Sequence, residues 1–359
     1  MGGFEAAHLM APAGLLVGAG LGFVARRAHF CTLNAFERLW YAGDSIGIRT
    51  WALAAATAAA ITQALVFTGA ISLVGSFYLA PALPLTGAII GGIAFGFGMA
   101  LVGTCGFGAL VRLGGGSLKA FVALIVLGLS ALAAQRGLVA QARLHLVDEL
   151  AIDLGFAGDQ SAGRFVSALA GADLRLVTAV AIIGGGLAWI FSSPAMRANR
   201  RAIFTGVAIG ALVAAGWAIT CWGARNAFVP VQIEAGSFVV PVGDTLMQVA
   251  TYTGVLPDYG VGLVIGVVLG AGLAAWRQRD VRWEACDDAR ELGRHLAGAA
   301  LMGVGGVFAF GCTIGQGISA ASTLALSVPF VMLSMAFGAR LGLAWLMEGS
   351  FRPAFGLRS

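Results

Sequence analysis

Residues 85–108 read LTGAIIGGIAFGFGMALVGTCGFG, twenty-four residues without a single charge. Crossing a hydrocarbon core about 30 Å thick takes about 20 consecutive apolar residues in a helix. The stretch meets that requirement and then ends oddly. In Gly103-Thr104-Cys105-Gly106-Phe107-Gly108, glycines surround a lone thiol at the point where the helix has to stop. Eight more apolar stretches flank it, at 11–26, 49–74, 117–134, 174–192, 203–220, 259–276, 296–311 and 324–346. The reading is an all-α membrane protein with about nine transmembrane helices plus short re-entrant or broken helices.

Composition agrees. Of 359 residues, 59% are hydrophobic and 11% charged, where a soluble domain carries about 25% charge. Mean hydropathy is +0.89. So few polar groups cannot cover a water-facing surface, which excludes a soluble enzyme. The natural partner of the chain is a lipid bilayer. A net charge of +5 reads as a topology signal, and no basic run interleaved with aromatics suggests a nucleic-acid partner. No Gly-x-x-x-x-Gly-Lys-Ser/Thr loop is present, so direct ATP drive is excluded. The five cysteines form no CxxC or CxxH spacing, so neither a metal site nor any other cofactor is expected.

Three more stretches repeat the Gly103–Gly108 theme: Cys31-Thr32-Leu33-Asn34-Ala35-Phe36, Cys221-Trp222-Gly223 and Gly311-Cys312-Thr313-Ile314-Gly315. The first, sixth and eighth apolar segments look short, and run directly into such a stretch. Irregular backbone at membrane depth is tolerated only where it is buried in protein or lines a cavity. Asn34-Ala35-Phe36 after Cys31 is echoed by Asn226-Ala227-Phe228 after Cys221. The expected organisation is therefore a first membrane repeat at 1–134, an outer loop plus connecting helix at 135–202, and a second repeat at 203–359. A single joining helix makes the repeats inverted, an arrangement from which many transporters are built.

Arginines cluster after the first segment (Arg26, Arg27, Arg38, Arg49), the fifth (Arg197, Arg200, Arg201) and the seventh (Arg277, Arg279, Arg282, Arg290, Arg294). Basic residues collect in cytoplasmic loops. Nine crossings then place the N-terminus outside and the C-terminus inside the inner membrane. The segment 135–173 reads as a surface helix on the outer interface, with Leu144, Val147, Leu150 and Leu154 at helical spacing. Ionisable residues are nearly absent from the helices, which points away from a buried proton relay and toward downhill flow.

Cys31, Cys105, Cys312 and, more weakly, Cys221 are the candidate path residues. Cysteine also packs as a small buried hydrophobe, and Cys286, in a charged loop, is read as incidental. A neutral thiol is a weak donor, suited to a soft sulfur anion that must bind and then leave through several sites in series. Helix N-termini beside glycine add N–H groups and a positive dipole end. Asn34, Gly106, Gly108, Arg112, Gly315, Gln316, Gly317 and Ser319 are expected to line the path or attract the anion. For His29, Lys119 and Asn226 a helix-end or topology role weighs at least as much.

Cys31-Thr32-Leu33-Asn34, then Gly103–Gly108 leading to Arg112, then Gly311-Cys312-Thr313-Ile314-Gly315-Gln316-Gly317-Ile318-Ser319 together resemble the YeeE/YedE family over nearly the whole chain. Those are bacterial membrane proteins associated with sulfur transport, whose characterised activity is thiosulfate uptake. The resemblance implies that Cys31, Cys105 and Cys312 are the functional thiols, with thiosulfate handed between them through an hourglass-shaped protein. Cys221 lies outside that trio. The resemblance also brings in a TusA-like sulfur carrier, expected here as a separate cytoplasmic chain. Two other readings stay open: transport of selenium or another sulfur species, and a membrane thiol enzyme that forms a cysteine persulfide. A structural scaffold is a third.

Overall fold

The structure, a computed structural model, describes residues 2–252, 256–286 and 288–350. It is helical almost throughout. The helices of the first half are α1 (Gly2–Ala28), α2 (Thr32–Ala42), α3 (Ile46–Phe67), α4 (Leu85–Val102), α5 (Gly106–Gly114) and α6 (Leu118–Arg136). A middle region follows with α7 (Leu138–Arg143), α8 (Ala162–Ala170), α9 (Arg175–Phe191) and α10 (Pro194–Ala198). The second half holds α11 (Arg200–Asn226), α12 (Val240–Ala250), α13 (Tyr259–Gln278), α14 (Ala289–Phe308) and α15 (Ser327–Glu348).

Among the described residues, seven spans are long and apolar enough to cross a membrane: Ala6–Ala42, Ile46–Phe67, Leu85–Gly114, Leu118–Arg136, Arg200–Asn226, Tyr259–Gln278 and Ser327–Glu348. Of the other two apolar segments, α9 has only 17 residues, and α14 opens on the charged turn Arg290, Glu291 and Arg294. The expectation that the first, sixth and eighth segments are short is corrected. Their helices α1 and α11 have 27 residues each and α14 has 20. The flanking polar residues extend them: Asn199 caps α11 through the Ala202 N–H, and Asp288 caps α14 through the Glu291 N–H.

Glycine decides how the long helices meet. A Cβ on Gly18 would sit 2.1 Å from the Leu263 carbonyl oxygen, and one on Gly266 would sit 2.2 Å from that of Leu15. Gly14 meets Tyr259 and Gly22 meets Val267 in the same way, so α1 and α13 run parallel with backbones in contact. The same advance pairs Gly206 and Gly210 of α11 with Thr50 and Ala54 of α3, and Gly92 and Gly96 of α4 with Val331 and Met335 of α15. Two pairs run the other way. Gly91 faces Gly305 while Gly98 faces Gly298, so α4 and α14 are antiparallel. Gly20 faces Leu212 while Gly223 faces Met10, so α1 and α11 are antiparallel too. Small residues allow this approach where lipid supplies no hydrophobic drive between helices.

The reading of 135–173 as one surface helix is also corrected. α6 ends at Arg136 and α7 has six residues. A π-helical turn follows at Leu144–Asp148, and Ile152–Asp153 pairs antiparallel with Ala82–Leu83. Leu144 and Leu150 are exposed, whereas Val147 is fully buried against Gly87 of α4. The segment folds onto the bundle because Val147 and Leu154 each find an apolar seat there.

Valine at position 18 is expected to destabilise the protein by about 3 kcal/mol, the upper end for overpacking, because only backbone faces that glycine. Gly185→Val, with nothing within 4 Å, is expected to change stability by less than about 0.5 kcal/mol. Thermal unfolding in detergent micelles reads both, and equal losses would contradict the packing described.

Candidate functional site

Three helices stop inside the bundle, and each stop is built alike. A residue in the left-handed region precedes each cysteine by two positions: His29 (φ 53°) before Cys31, Gly103 (φ 76°) before Cys105, Phe310 (φ 57°) before Cys312. Glycine reaches such φ without strain, whereas a bulky side chain does not. At His29 and Phe310 the surrounding structure holds a costly backbone, a frequent mark of function. After each stop the chain re-enters a helix at once. Cys31 is the N-cap of α2 and Cys105 that of α5. Cys312 directly precedes the helical residues 313–322, which include a π-turn at Gly315–Ala320. All three thiols therefore sit at helix N-termini, where N–H groups lack helical partners.

The three stops converge. Cys31 Sγ lies 3.9 Å from Thr104 Oγ1, beside Cys105. The Cys105 thiol is within electrostatic reach of both Cys31 and Cys312, lies beside the Thr313 hydroxyl and meets the Gly108 backbone N–H. Cys312 Sγ accepts the Gly315 N–H at 3.3 Å, with the backbones of Ile314 and Phe238 also turned to it. The sequence order 31, 105, 312 is thus also a spatial order, with Cys105 central. Thr32 and Thr313 are buried, and their hydroxyls have no hydrogen-bond partner.

A cavity of about 210 Å³ opens at one end of this line, walled by His29, Cys31, Asn34, Arg38, Trp51 and Arg201. A second of about 210 Å³ lies at the other end, walled by Glu234, Ser237, Asp244, Asp258, Arg143 and Gly311. Tyr78, buried, connects it to the thiols, since its hydroxyl faces Cys312, Glu234 and Ser237. Cys105 and Cys312 line neither cavity. They are 1% and 0% exposed, so the line is closed at its centre. The Phe107 and Phe238 rings, 4.9 Å apart, pack beside it.

The other expected site residues divide. Asn34 walls the first cavity. Gly108 leaves room for Thr104, whose hydroxyl would lie 2.0 Å from a Cβ there. Gly317 seats the Trp51 ring, and Gly106 lies against the Phe238 backbone. Gln316 holds the broken backbone by donating to the carbonyls of Ala309 and Phe310. Ser319 is occupied with both backbone groups of Gly236. Arg112 donates to the Gly103 carbonyl at 2.7 Å, which caps α4. Lys119 pairs with Glu291, and Asn226 donates to Trp222 within α11.

Cys221 does not share the geometry. It sits inside the unbroken α11 and donates its thiol to the Ser72 carbonyl at 3.2 Å. The segment that approaches Cys312 from the second half is Gly236-Ser237-Phe238, fifteen or more residues beyond Cys221. The threonine next to each broken-helix cysteine (Thr32, Thr104, Thr313) was legible as a shared neighbour. Glu234, a lone acid in an apolar, glycine-containing stretch, carried a weaker signal. Trp51 and Tyr78 carried none.

In a Cys286→Ser background, a polar maleimide is expected to label Cys31 fastest. Cys105, Cys312 and Cys221 should react at least about tenfold more slowly, because a buried thiol is inert. Equal labelling of all four would contradict the closed line.

The sequence profile of a family described as sulphur transport matches residues 27–341. The chain is similar to the thiosulfate transporter TsuA of Escherichia coli, 27% identical over 320 residues, covering 85% of this chain and 86% of the relative. It is similar to the thiosulfate transporter TsuA of Spirochaeta thermophila, 27% identical over 347 residues, covering 93% and 98%. The probable transporter YedE of Salmonella typhimurium is 33% identical over 105 residues, 27% of this chain and 23% of the relative. With most of its length matched and thiol-bearing helix breaks meeting inside an apolar bundle, the chain belongs to the YeeE/YedE family of sulphur transport membrane proteins.

Proposed function

We propose that this protein is an inner-membrane transporter that takes up thiosulfate through the line Cys312, Cys105 and Cys31. The observation that carries the reading is the convergence of three helix N-termini, each starting at a cysteine, between two cavities. A sulfur oxyanion leaving water must keep hydrogen-bond donors around it, since an isolated buried charge is very costly. The thiols, the free Thr32 and Thr313 hydroxyls and the first-turn N–H groups are such donors. A single neutral donor contributes only about 1 kcal/mol and a helix terminus about 0.3–1 kcal/mol. No station binds deeply, and stations in series let the ion move on.

The antiparallel pairs α1–α11 and α4–α14 support reading the two halves as inverted repeats about 135–202. On that reading the partner of Cys31 is the 236–239 region, not Cys221. Arg38 and Arg201 at the Cys31 cavity, with Arg26, Arg27, Arg49 and Arg197 nearby in sequence, support a cytoplasmic position for that face. Glu234, Asp244 and Asp258 wall the other cavity, where Arg143 pairs with Asp148. The ion then enters past Tyr78 and leaves past Cys31, where a separate TusA-like carrier would collect its sulfur. The persulfide alternative needs a thiolate beside a base. Cys105 and Cys312 face hydroxyl and backbone N–H groups instead.

Reconstituted in lipid vesicles, the protein is expected to take up radiolabelled thiosulfate. Cys31→Ala, Cys105→Ala and Cys312→Ala, which remove the donor, should each slow uptake about fivefold, the effect of losing about 1 kcal/mol, while Cys221→Ala keeps most of the rate. Uptake that survives all three substitutions would remove the thiols from the mechanism.

A further inference from the structure

The cavity opposite the basic face holds a group that the thiol line does not use. Glu234 lies in the extended chain between α11 and α12, and it is buried, 7% exposed. The Thr220 hydroxyl holds this chain in place by donating to the Glu234 carbonyl at 2.7 Å. The carboxyl oxygen packs over Gly260, where a Cβ would come within 3.1 Å. Around it the other charged groups are already engaged. Asp258 caps α13 through the Val261 N–H, Asp244 pairs with Arg136 at 3.9 Å, and Arg143 pairs with Asp148 at 3.3 Å. Among the described residues, no cation pairs with Glu234. Two hydroxyls lie within electrostatic reach of it, Tyr78 from the loop before α4 and Tyr259 from the start of α13. They are 1% and 2% exposed; the Tyr78 hydroxyl lies beside Ser237, and among the described residues that of Tyr259 has no hydrogen-bond partner. Gln135 and Ser237 complete the polar wall.

Tyr78 faces both Glu234 and Cys312. An anion that moves from this cavity to the first thiol passes the carboxyl. We propose that Glu234 is a proton-binding gate: the anion moves past it to Cys312 only while the carboxyl is neutral, and the ionised carboxylate closes the cavity to anions. The proposal rests on the anion-uptake reading above. Burial, then the charges of Asp258 and Asp244, push this carboxyl up to about 8, so it is neutral over most of the physiological range. A neutral acid needs no counter-ion in this pocket, and none pairs with it among the described residues. Uptake then depends on pH through a group that lies outside the spanning helices.

The test uses purified full-length protein in lipid vesicles with the same pH on both sides. Thiosulfate uptake is expected to be about tenfold slower at pH 9 than near pH 7, since only about one-tenth of such a carboxyl stays neutral there. Glu234→Gln, always neutral, should transport at the fast rate across the range. A Glu234→Gln profile that falls like the wild type, or a wild-type rate flat from about pH 6 to about pH 9, overturns the gate. Infrared titration of the neutral carboxyl band needs no substrate and reads the proton site itself. A band lost near pH 8 in the wild type and absent from Glu234→Gln supports it, and a carboxyl already ionised at pH 6 overturns it. An intact infrared titration without uptake at any pH overturns the thiosulfate reading while the proton site stands.

Discussion

A helix that stops inside a membrane protein leaves backbone N–H and C=O groups that no water can reach, and every feature of this site answers that constraint. Broken at Phe30, Gly103 and Gly311, the chain has to restart a helix immediately, and a restart needs a cap. Serine or aspartate would cap better. The thiol is the weaker acceptor, and at Cys312 it takes the N–H of Gly315, three positions on, at 3.3 Å. A weak cap leaves that N–H group available to a passing anion. On the proposed function, the same atoms hold the backbone in the empty state and form the path in the occupied one.

The glycine contacts make that convergence possible. α1 against α13 and α4 against α15 approach until only backbone fits between them, and this brings Cys31, Cys105 and Cys312 to one place from parts of the chain more than 70 and 200 residues apart. Rigid helix pairs around a short irregular centre suggest where motion belongs. The pairs stay fixed while side chains such as Phe107, Phe238 and Tyr78 yield, since Cys105 and Cys312 are sealed as the structure stands. The charge difference between the two cavities gives the path a direction.

Much of this was written plainly in the sequence. Each of the nine apolar stretches lies on a helix, because twenty apolar residues have few other folds open to them. Cys105 and Cys312 were legible because glycine and cysteine together mark a stop. Cys221 misled for a physical reason. Cys221-Trp222-Gly223 copies the composition of a break, but Cys221 lacks the left-handed residue two positions earlier, so α11 runs through it. Segment 135–173 misled because its periodicity is that of a short helix and a turn in succession, and burial of Val147 depends on a distant glycine. Glu234 has little signal in the sequence because it lies outside the helices, and only the fold shows it buried near two tyrosines.

The central claim is that one anion path runs along the three helix starts at cysteines. A crystal structure of the protein with selenosulfate, whose selenium scatters anomalously, tests it most directly. The account predicts an anomalous peak within hydrogen-bond reach of Cys105 Sγ, Cys312 Sγ or Cys31 Sγ and of the adjacent backbone N–H groups. A peak beside Cys221, or confined to the lipid-facing surface with the three thiols bare, would contradict it.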